Sequence, residues 1–398
     1  MKKAGEQLIR IISSVINDDF KLDINSDFNF KKIIKLAKFH SVESLLYQGI
    51  INNNIKVDND ILKDLEKINL KYIYKEVTQE EEKNLISLKL EENKIKHIFL
   101  KGCVIKYLYP SVHLRSMADL DILVEEKYLK TISQIMKSIG YTVENTGGNH
   151  DVFYKNPFMN VEMHRNMIDE VYLYSKYYED IWNKLKKQAD KEYEYYLTDE
   201  DYYIYMMTHM AKHFSNGGTG IRSIVDEYIY LKHKEDKLDW DYIYREFEKL
   251  NLLEFSKNIK SLAYVWFKDK ESNERFDLIT EYILSSGTYG ITTNSMIVKG
   301  FMDEDADKPL KNNKLKFLLT NMFPPYKQMK RLYPRVGKIW ILLPFLWIIR
   351  LFKIVIFRRK RIKEVYKDIN EVQMDDVNKV KQIHELSGIR IKGEEDEN

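Results

Sequence analysis

The sequence is poor in three residue types whose abundance marks whole classes of protein. Its 398 residues include one cysteine, 15 glycines and seven prolines. A lone cysteine, Cys103, excludes an intramolecular disulfide and cysteine-rich zinc sites. Scarce glycine and proline exclude collagen-like, linker-rich and proline-rich architectures. With 44% hydrophobic and 31% charged residues, we expect a mostly helical globular chain of two or three domains in a reducing compartment.

A signal peptide is also lacking from the sequence as it begins. The first residues, MKKAGEQLIRIISSVI, carry two lysines but soon reach Glu6 and Arg10, so no apolar stretch of signal-peptide length follows. This pattern predicts a cytoplasmic protein.

Acidic residues are missing from one long stretch near the end of the chain. Between Lys308 and Lys363 there are sixteen Lys and Arg and no Asp or Glu, although the formal net charge of the chain is only +3. Within it, residues 337–357 are strongly apolar but interrupted by Pro344, Arg350 and Lys353, which argues against a transmembrane helix.

Three interpretations of this basic, apolar segment stay open. It could be a core helix with a basic surface patch, an interfacial helix that binds anionic lipid through residues 337–363, or an RNA-binding surface. We favour weak peripheral membrane association over RNA, because the aromatic residues are not interleaved with the basic cluster RRKRIK.

Hydrophobic periodicity predicts the order of elements. Apolar residues recur at helical spacing up to about residue 95, and Asp58 with Asn59 would cap a long helix. The short runs KHIFLKG, ADLDILV, YTVEN, DVFYKN and NVEMHR then read as strands, with a helix over EEKYLKTISQIMKSIG. The predicted class is α+β, a small mixed sheet between helical regions. The predicted domains are an N-terminal helical region 1–95, an α/β core 96–168, a helical domain 169–305, the basic apolar segment 306–363 and a charged tail 364–398 that ends in a frayed GEEDEN.

Asp119 and Asp121 are the first candidates for chemistry. They lie two apart in a predicted strand, so their carboxylates share one face. Such a pair suits a divalent ion such as Mg²⁺, which takes oxygen ligands. The alternative is a solvated face of an edge strand.

Neighbouring residues favour the metal interpretation. Lys101 and Gly102 end the preceding strand, where a glycine would allow a phosphate to approach the backbone closely. Arg115 lies within reach of the same pocket. Glu162, with Asn160 and His164 on its own face, would add a third acid if the two strands are neighbours.

These residues resemble a known family. The run LKGCVIKYLYPSVHLRSMADLDILV is similar to the signature of the uncharacterised nucleotidyltransferase family, a branch of the DNA polymerase β-like nucleotidyltransferase superfamily. Further similar segments are AKFHSVESLLY, VEMHR, THMAKHF and MFPPYKQMKRLYP. The resemblance spans residues 30–360. At the turn, the superfamily's Gly-Ser is Gly102-Cys103 here, so one hydroxyl contact to phosphate is lost.

The resemblance implies transfer of a nucleoside monophosphate from an NTP to an acceptor, with release of pyrophosphate. It implies that Asp119 and Asp121 hold two Mg²⁺ (or Mn²⁺) ions, and that Glu162 completes the catalytic metal site and helps to deprotonate the acceptor. The nucleotide-binding residues predicted in this way are Lys101, Gly102, Cys103, Arg115, His164, His209, His213 and Asp226.

Some of these residues have structural alternatives. His209 and His213 share a helix face, but the HExxH glutamate of zinc proteases is absent. They would point toward nucleotide or acceptor, or else simply pack between helices. Arg222 and Asp226, four residues apart, would form a surface ion pair, while the resemblance implies a role for Asp226 near the active site.

The predicted function is therefore a metal-dependent nucleotidyltransferase. ATP is the expected nucleotide, and the acceptor is a small molecule, a glycan or peptide intermediate, or a tRNA. The alternative is a non-catalytic nucleotide-binding or scaffold protein.

Overall fold

The structure is a computed structural model of the whole chain. It describes residues 1–19, 22, 28–169, 172–268, 270–288, 290–301, 310–326, 329, 333, 339–357 and 367–389. Contacts divide the chain into two units, Met1–Lys212 with Thr219–Thr288 and His213–Gly218 with Tyr289–Asn398. The first unit therefore contains the predicted N-terminal region, the α/β core and most of the following helical domain. The boundaries of the five predicted domains stay predictions.

The chain begins with four helices. They are α1 (Lys2–Ile16), α2 (Phe30–His40), α3 (Glu43–Asn52) and α4 (Asn59–Glu92). As predicted, Asp58 caps α4, its carboxylate accepting a hydrogen bond from the Asp60 amide at 2.8 Å. The buried His40 ring joins three parts of the first unit, because Nδ1 accepts from the Ile221 amide while Nε2 contacts the Leu284 carbonyl.

The centre of the first unit is a mixed five-stranded sheet. Its strands are β1 (His97–Phe99), β2 (Leu120–Val124), β3 (Thr142–Asn145), β4 (His150–Lys155) and β5 (Met159–His164). The spatial order is β1-β2-β5-β4-β3. Strands β2 and β5 are parallel, and the other neighbours are antiparallel.

One face of the sheet carries the hydrophobic core. Leu120, Ile122 and Val124 of β2 are fully buried on this face beside Val161 and Met163 of β5. Apolar residues of α4 and of α6 (Leu129–Ser138) cover them. Because strand side chains alternate, Asp121 and Glu162 must lie on the opposite face.

Further elements complete the first unit. They are α5 (Gly102–Ile105), the short strands β6 (Lys186–Lys187) and β7 (Tyr195–Tyr196), and the helices α7 (Asp199–Gly217), α8 (Ile221–Lys234), α9 (Trp240–Lys249), α10 (Leu253–Phe267) and α11 (Glu274–Ser286). The last residues of α7 belong to the second unit. Tyr202, Tyr203 and Tyr205 of α7 are buried.

The second unit contains four further described helices. They are α12 (Thr292–Phe301), α13 (Leu310–Met322), α14 (Leu343–Phe357) and α15 (Met374–Ser387). Helix α14 is the apolar part of the basic segment, yet Phe345, Phe352 and Ile356 are each more than 60% exposed. The structure thus leaves one apolar face of α14 exposed.

The structure confirms the predicted α+β class and the predicted elements of the core. The runs predicted as strands contain β1 to β5, and α6 forms where a helix was expected. Asp119 differs from the prediction because it precedes β2 rather than lying within it. The basic cluster 358–363 and the C-terminal GEEDEN lie outside the described residues. Within the described part of the chain, none of the helices combines the length and apolarity needed to cross a bilayer.

Candidate active site

The parallel pairing of β2 and β5 brings two acids together. The register places Asp121 directly opposite Glu162 and Leu123 opposite His164. Asp119 lies two residues before Asp121, just ahead of the strand. The three acids thus gather on the sheet face opposite to the hydrophobic core.

Asp121 is the most enclosed of the three acids. It is 4% exposed, and its Oδ1 accepts from Lys101 Nζ at 2.6 Å and lies 2.7 Å from His164 Nε2. Burial raises the pKa of Asp121, but the Lys101 charge and the His164 hydrogen bond outweigh burial and hold this pKa well below its usual value. The carboxylate is therefore ionised at neutral pH.

Asp119 experiences a different environment. Burial, followed by the negative charge of Asp121, raises the pKa of Asp119 to about 6, against a smaller opposing effect of Lys101. The Lys75 ammonium donates to the carbonyl of the adjacent Ala118 at 3.3 Å. Two carboxylates whose pKa values are pushed apart in this way are typical of functional sites.

Two imidazoles surround Glu162. Its Oε2 lies 3.4 Å from His164 Nε2 and 3.6 Å from His150 Nε2. The β4–β5 register places His150 directly opposite His164, with ring centroids 4.9 Å apart. The three residues form a group in which one ligand atom from each lies within 4.8 Å of the others. The sequence reasoning missed His150, although a hairpin centred on Pro157 would have paired it with His164.

The turn after β1 brings Lys101 to the site at a conformational cost. Lys101 has φ 52° and ψ −122°, a region unfavourable for a residue with a side chain. Its carbonyl accepts from Tyr202 on α7 at 2.8 Å. A side chain at Gly102 would place its Cβ 2.7 Å from Cγ and Sδ of Met117, so the Met117 side chain would have to shift.

Cys103 does not face the site. The residue is 3% exposed and belongs to the hydrophobic core that also contains Leu120 and Ile122. Burial raises the pKa of the thiol to about 12. The backbone amide of Cys103 donates to the Leu100 carbonyl at 3.2 Å. This location removes the Cys103 side chain from the candidate nucleotide contacts.

Arg115 and Asp226 form a cluster of their own. The guanidinium of Arg115 donates Nε to Asp226 Oδ1 at 2.6 Å and Nη2 to Oδ2 at 2.7 Å, and the Tyr109 hydroxyl donates to Oδ1 at 2.6 Å. All three residues are buried. The predicted surface pair between Arg222 and Asp226 is therefore wrong. Arg222 instead donates to the Ser116 carbonyl at 3.1 Å.

This Arg115 cluster attaches the loop before β2 to α8. The third nitrogen of Arg115, Nη1, donates to the Ser116 carbonyl at 2.8 Å. Each guanidinium nitrogen of Arg115 donates a hydrogen bond within the protein. Arg115 therefore positions the loop that carries Asp119 rather than facing a ligand.

Helix α7 carries the two predicted histidines. The His209 ring lies 6.1 Å from that of Tyr205, whose environment includes the Lys101 charge. His213 lies one turn further along, in the second unit. Between them, Lys212 has a pKa lowered to about 8 by burial and by the positive charge of Lys101, against the opposing charges of Asp121 and Glu162. The sequence reasoning missed Lys212 as a neighbour of the acids, since lysine on a helix is usually a solvated residue.

Comparison with known proteins identifies a matching family. The family model described as uncharacterised nucleotidyltransferase matches residues 26–268, well over half of the chain. This range includes the sheet, α7 and α8. No curated protein and no solved structure matches the chain.

Proposed function

Because the chain belongs to the uncharacterised nucleotidyltransferase family, we propose that it transfers a nucleoside monophosphate from an NTP to an acceptor hydroxyl. The acceptor oxygen would form a bond to the α-phosphorus, and the bond from that phosphorus to the bridging oxygen would break. Pyrophosphate would leave, and the proton of the hydroxyl would pass to a base of the protein. The observation that carries this proposal is the pairing of Asp121 with Glu162 on neighbouring parallel strands, with Asp119 two residues away.

The three acids fit a metal ion by their donor chemistry. Asp119, Asp121 and Glu162 offer carboxylate oxygens, the ligands that Mg²⁺ and Mn²⁺ prefer. When bound, such an ion would neutralise developing charge on the phosphate oxygens and stabilise the leaving group.

Lys101 and Glu162 supply the remaining chemistry. Lys101 keeps Asp121 ionised through the 2.6 Å contact and adds positive charge beside a bound triphosphate. Burial raises the pKa of Glu162, but the His164 hydrogen bond and the charges of His150 and His164 together outweigh burial and lower this pKa. Glu162 is thus an ionised carboxylate on the same face, able to accept the proton of the acceptor hydroxyl.

Radiolabelled nucleotides test the proposed transfer. The protein is incubated with each α-labelled NTP, Mg²⁺ or Mn²⁺, and fractionated cell extract, and the label is followed into RNA, protein, glycan and small molecules. We expect ATP to be the donor and the label to be lost in the double variant Asp119→Asn/Asp121→Asn. Transfer by the double variant at the wild-type rate would contradict the proposal.

Calorimetry separates this enzyme from a non-catalytic binding or scaffold protein. An active site should bind ATP in a metal-dependent manner. Metal-dependent binding of ATP without labelled product in any fraction would support a nucleotide-binding protein, and the absence of both would support a scaffold.

We also propose a cytoplasmic location with peripheral contact to anionic lipid through residues 337–363. One face of α14, formed by Phe345, Ile348, Ile349, Phe352 and Ile356, is between 46% and 64% exposed. The opposite face is anchored within the second unit, since Leu346 is buried and Trp347 Nε1 donates to the Pro324 carbonyl at 2.9 Å. An exposed apolar face within a stretch of sequence that has sixteen Lys and Arg and no acid suits an anionic lipid surface better than RNA.

Liposome sedimentation tests this contact. At low salt, we expect the wild type to sediment with anionic vesicles more than with neutral ones, and Ile348→Asp/Phe352→Asp to lose this binding. Leu70→Asp/Val77→Asp is the matched control, because these residues are similarly exposed on α4 in the first unit. Absence of the wild type from the pellets of both anionic and neutral vesicles would contradict lipid binding. Salt-sensitive binding to RNA, without binding to vesicles, would identify RNA as the partner instead.

A further inference from the structure

The two histidines beside Glu162 are not explained by a site built for Mg²⁺. That ion takes oxygen ligands, whereas imidazole nitrogen is a preferred ligand of later first-row ions such as Co²⁺, Ni²⁺ and Zn²⁺. His150 Nε2 and His164 Nε2 nevertheless lie 3.6 and 3.4 Å from the same Glu162 oxygen, and His164 Nε2 also lies 2.7 Å from Asp121 Oδ1.

These separations suit three ligands of one ion. Ligand atoms about 2.0–2.1 Å from an ion at tetrahedral angles lie about 3.3 Å from each other. The two distances from Glu162 Oε2 are close to this value, and the ligand atoms of the group all lie within 4.8 Å of one another. Ligation by His164 Nε2 would replace its present 2.7 Å contact with Asp121 Oδ1.

The backbone fixes the group in place. His150 and His164 are paired residues of the antiparallel strands β4 and β5, and Glu162 lies two positions from His164 on the same face. None of the three ligands depends on a loop, so the group is preorganised by the sheet. The His150 side chain is 35% exposed, which leaves one side of the group open to solvent.

We propose that His150, Glu162 and His164 bind a divalent first-row transition ion in preference to Mg²⁺. The inference deepens the proposed function and rests on it for its role, since Glu162 belongs both to this group and to the acids of the transfer site. Binding of the ion itself needs neither nucleotide nor acceptor. The transfer reaction should therefore respond to Co²⁺ or Ni²⁺ at concentrations where Mg²⁺ is ineffective.

Cobalt supplies a spectroscopic test. Chelator-treated full-length protein is titrated with Co²⁺ without nucleotide, and the visible d–d absorption is followed. We expect saturable binding that an excess of Mg²⁺ does not displace. His150→Gln should weaken the affinity for Co²⁺ by at least about tenfold. His233→Gln, a change at an exposed histidine of α8, should leave it unchanged.

The wild type alone provides a second readout. Ring-proton signals of His150 and His164 should be paramagnetically shifted in the Co²⁺-loaded protein, so the test does not depend on how well the variant folds. Unshifted signals, equal Co²⁺ affinity for wild type and folded His150→Gln, or displacement by equimolar Mg²⁺ would overturn the inference.

The experiments distinguish failure of this metal site from failure of the proposed nucleotide transfer. A protein that binds Co²⁺ through His150 but transfers no label from any NTP supports this metal site and contradicts the transfer reaction. Mg²⁺-supported transfer without histidine-dependent Co²⁺ binding would support the transfer reaction and contradict this metal site.

Discussion

Two polar clusters of the first unit differ in how completely their groups are paired. In the Arg115 cluster, one guanidinium and one hydroxyl satisfy the Asp226 carboxylate, and all three residues are at most 8% exposed. On the sheet face, three acids share the Lys101 ammonium and the imidazoles, and the side chains of Glu162 and His150 are 19% and 35% exposed.

The difference separates structural from functional charge. A carboxylate that is neutralised and enclosed within the protein has no capacity left for a ligand, whereas acids in excess on a partly open face can accept a cation. Arg115 and Asp119 are four residues apart in sequence, yet they belong to different clusters. Four amino-acid substitutions test this difference between the two clusters.

Glu162→Gln is expected to have the largest effect on activity. Because the amide neither binds a metal ion strongly nor accepts the hydroxyl proton, nucleotide transfer should fall on the order of 10³-fold or more, about 4 kcal/mol in the activation free energy. The free energy of unfolding should change by less than about 1 kcal/mol, because glutamine has the same shape as glutamate and the Glu162 side chain is partly exposed. The control is Glu144→Gln on the exposed edge strand β3. A folded Glu162→Gln protein with wild-type transfer would show that the open face is not the site.

Arg115→Leu is expected to have the largest effect on stability. It leaves the Asp226 carboxylate buried with only the Tyr109 hydroxyl, which should lower the free energy of unfolding by about 3–5 kcal/mol. Arg275→Leu is the control, because its contact with Glu254 is long, at 3.8 Å, and both side chains are exposed, so a loss below about 1 kcal/mol is expected. Denaturant unfolding measures both. A similarly small loss for Arg115→Leu would mean that the buried cluster is not a structural clamp.

Glu227 tests a third way to bury a carboxylate. It is fully buried, Tyr203 donates to Oε1 at 2.7 Å, and burial raises the pKa of Glu227 to about 8. A raised pKa in the folded state gives stability that is fully present below the unfolded value of about 4.3 and is lost as pH rises through about 8.

Wild type should therefore lose on the order of 3 kcal/mol more than Glu227→Gln between pH 5 and pH 9. Denaturant unfolding of both proteins over this range isolates the contribution of this one group. Parallel pH profiles for the two proteins would show that Glu227 is not protonated at neutral pH.

Cys103→Ser should have the smallest effect. If the thiol packs in the core, a hydroxyl there lowers the free energy of unfolding by about 1–3 kcal/mol and leaves the transfer rate per folded molecule unchanged. If residue 103 faces phosphate, as the superfamily's Gly-Ser implies, serine should instead improve nucleotide binding. The apparent KM for ATP and the unfolding midpoint, compared with Cys103→Ala, distinguish the two outcomes.

Local patterns determined much of this protein. Alternating residues in LDILV and NVEMH predicted β2 and β5 and the faces of Asp121 and Glu162, and the resemblance to the uncharacterised nucleotidyltransferase family is confirmed over residues 26–268. These features depend on neighbours within a few residues, which a sequence displays directly.

The long-range contacts between residues are visible only in the tertiary structure. The Arg115–Asp226 contact joins positions 111 residues apart, and neither the parallel register of β2 with β5 nor the exposure of one face of α14 is visible in periodicity. The local pattern at Cys103 gave no sign of which side of the sheet the thiol would occupy. The physical reason is that long-range pairing is selected by the packing of whole elements, whereas local spacing specifies only the face that each element presents.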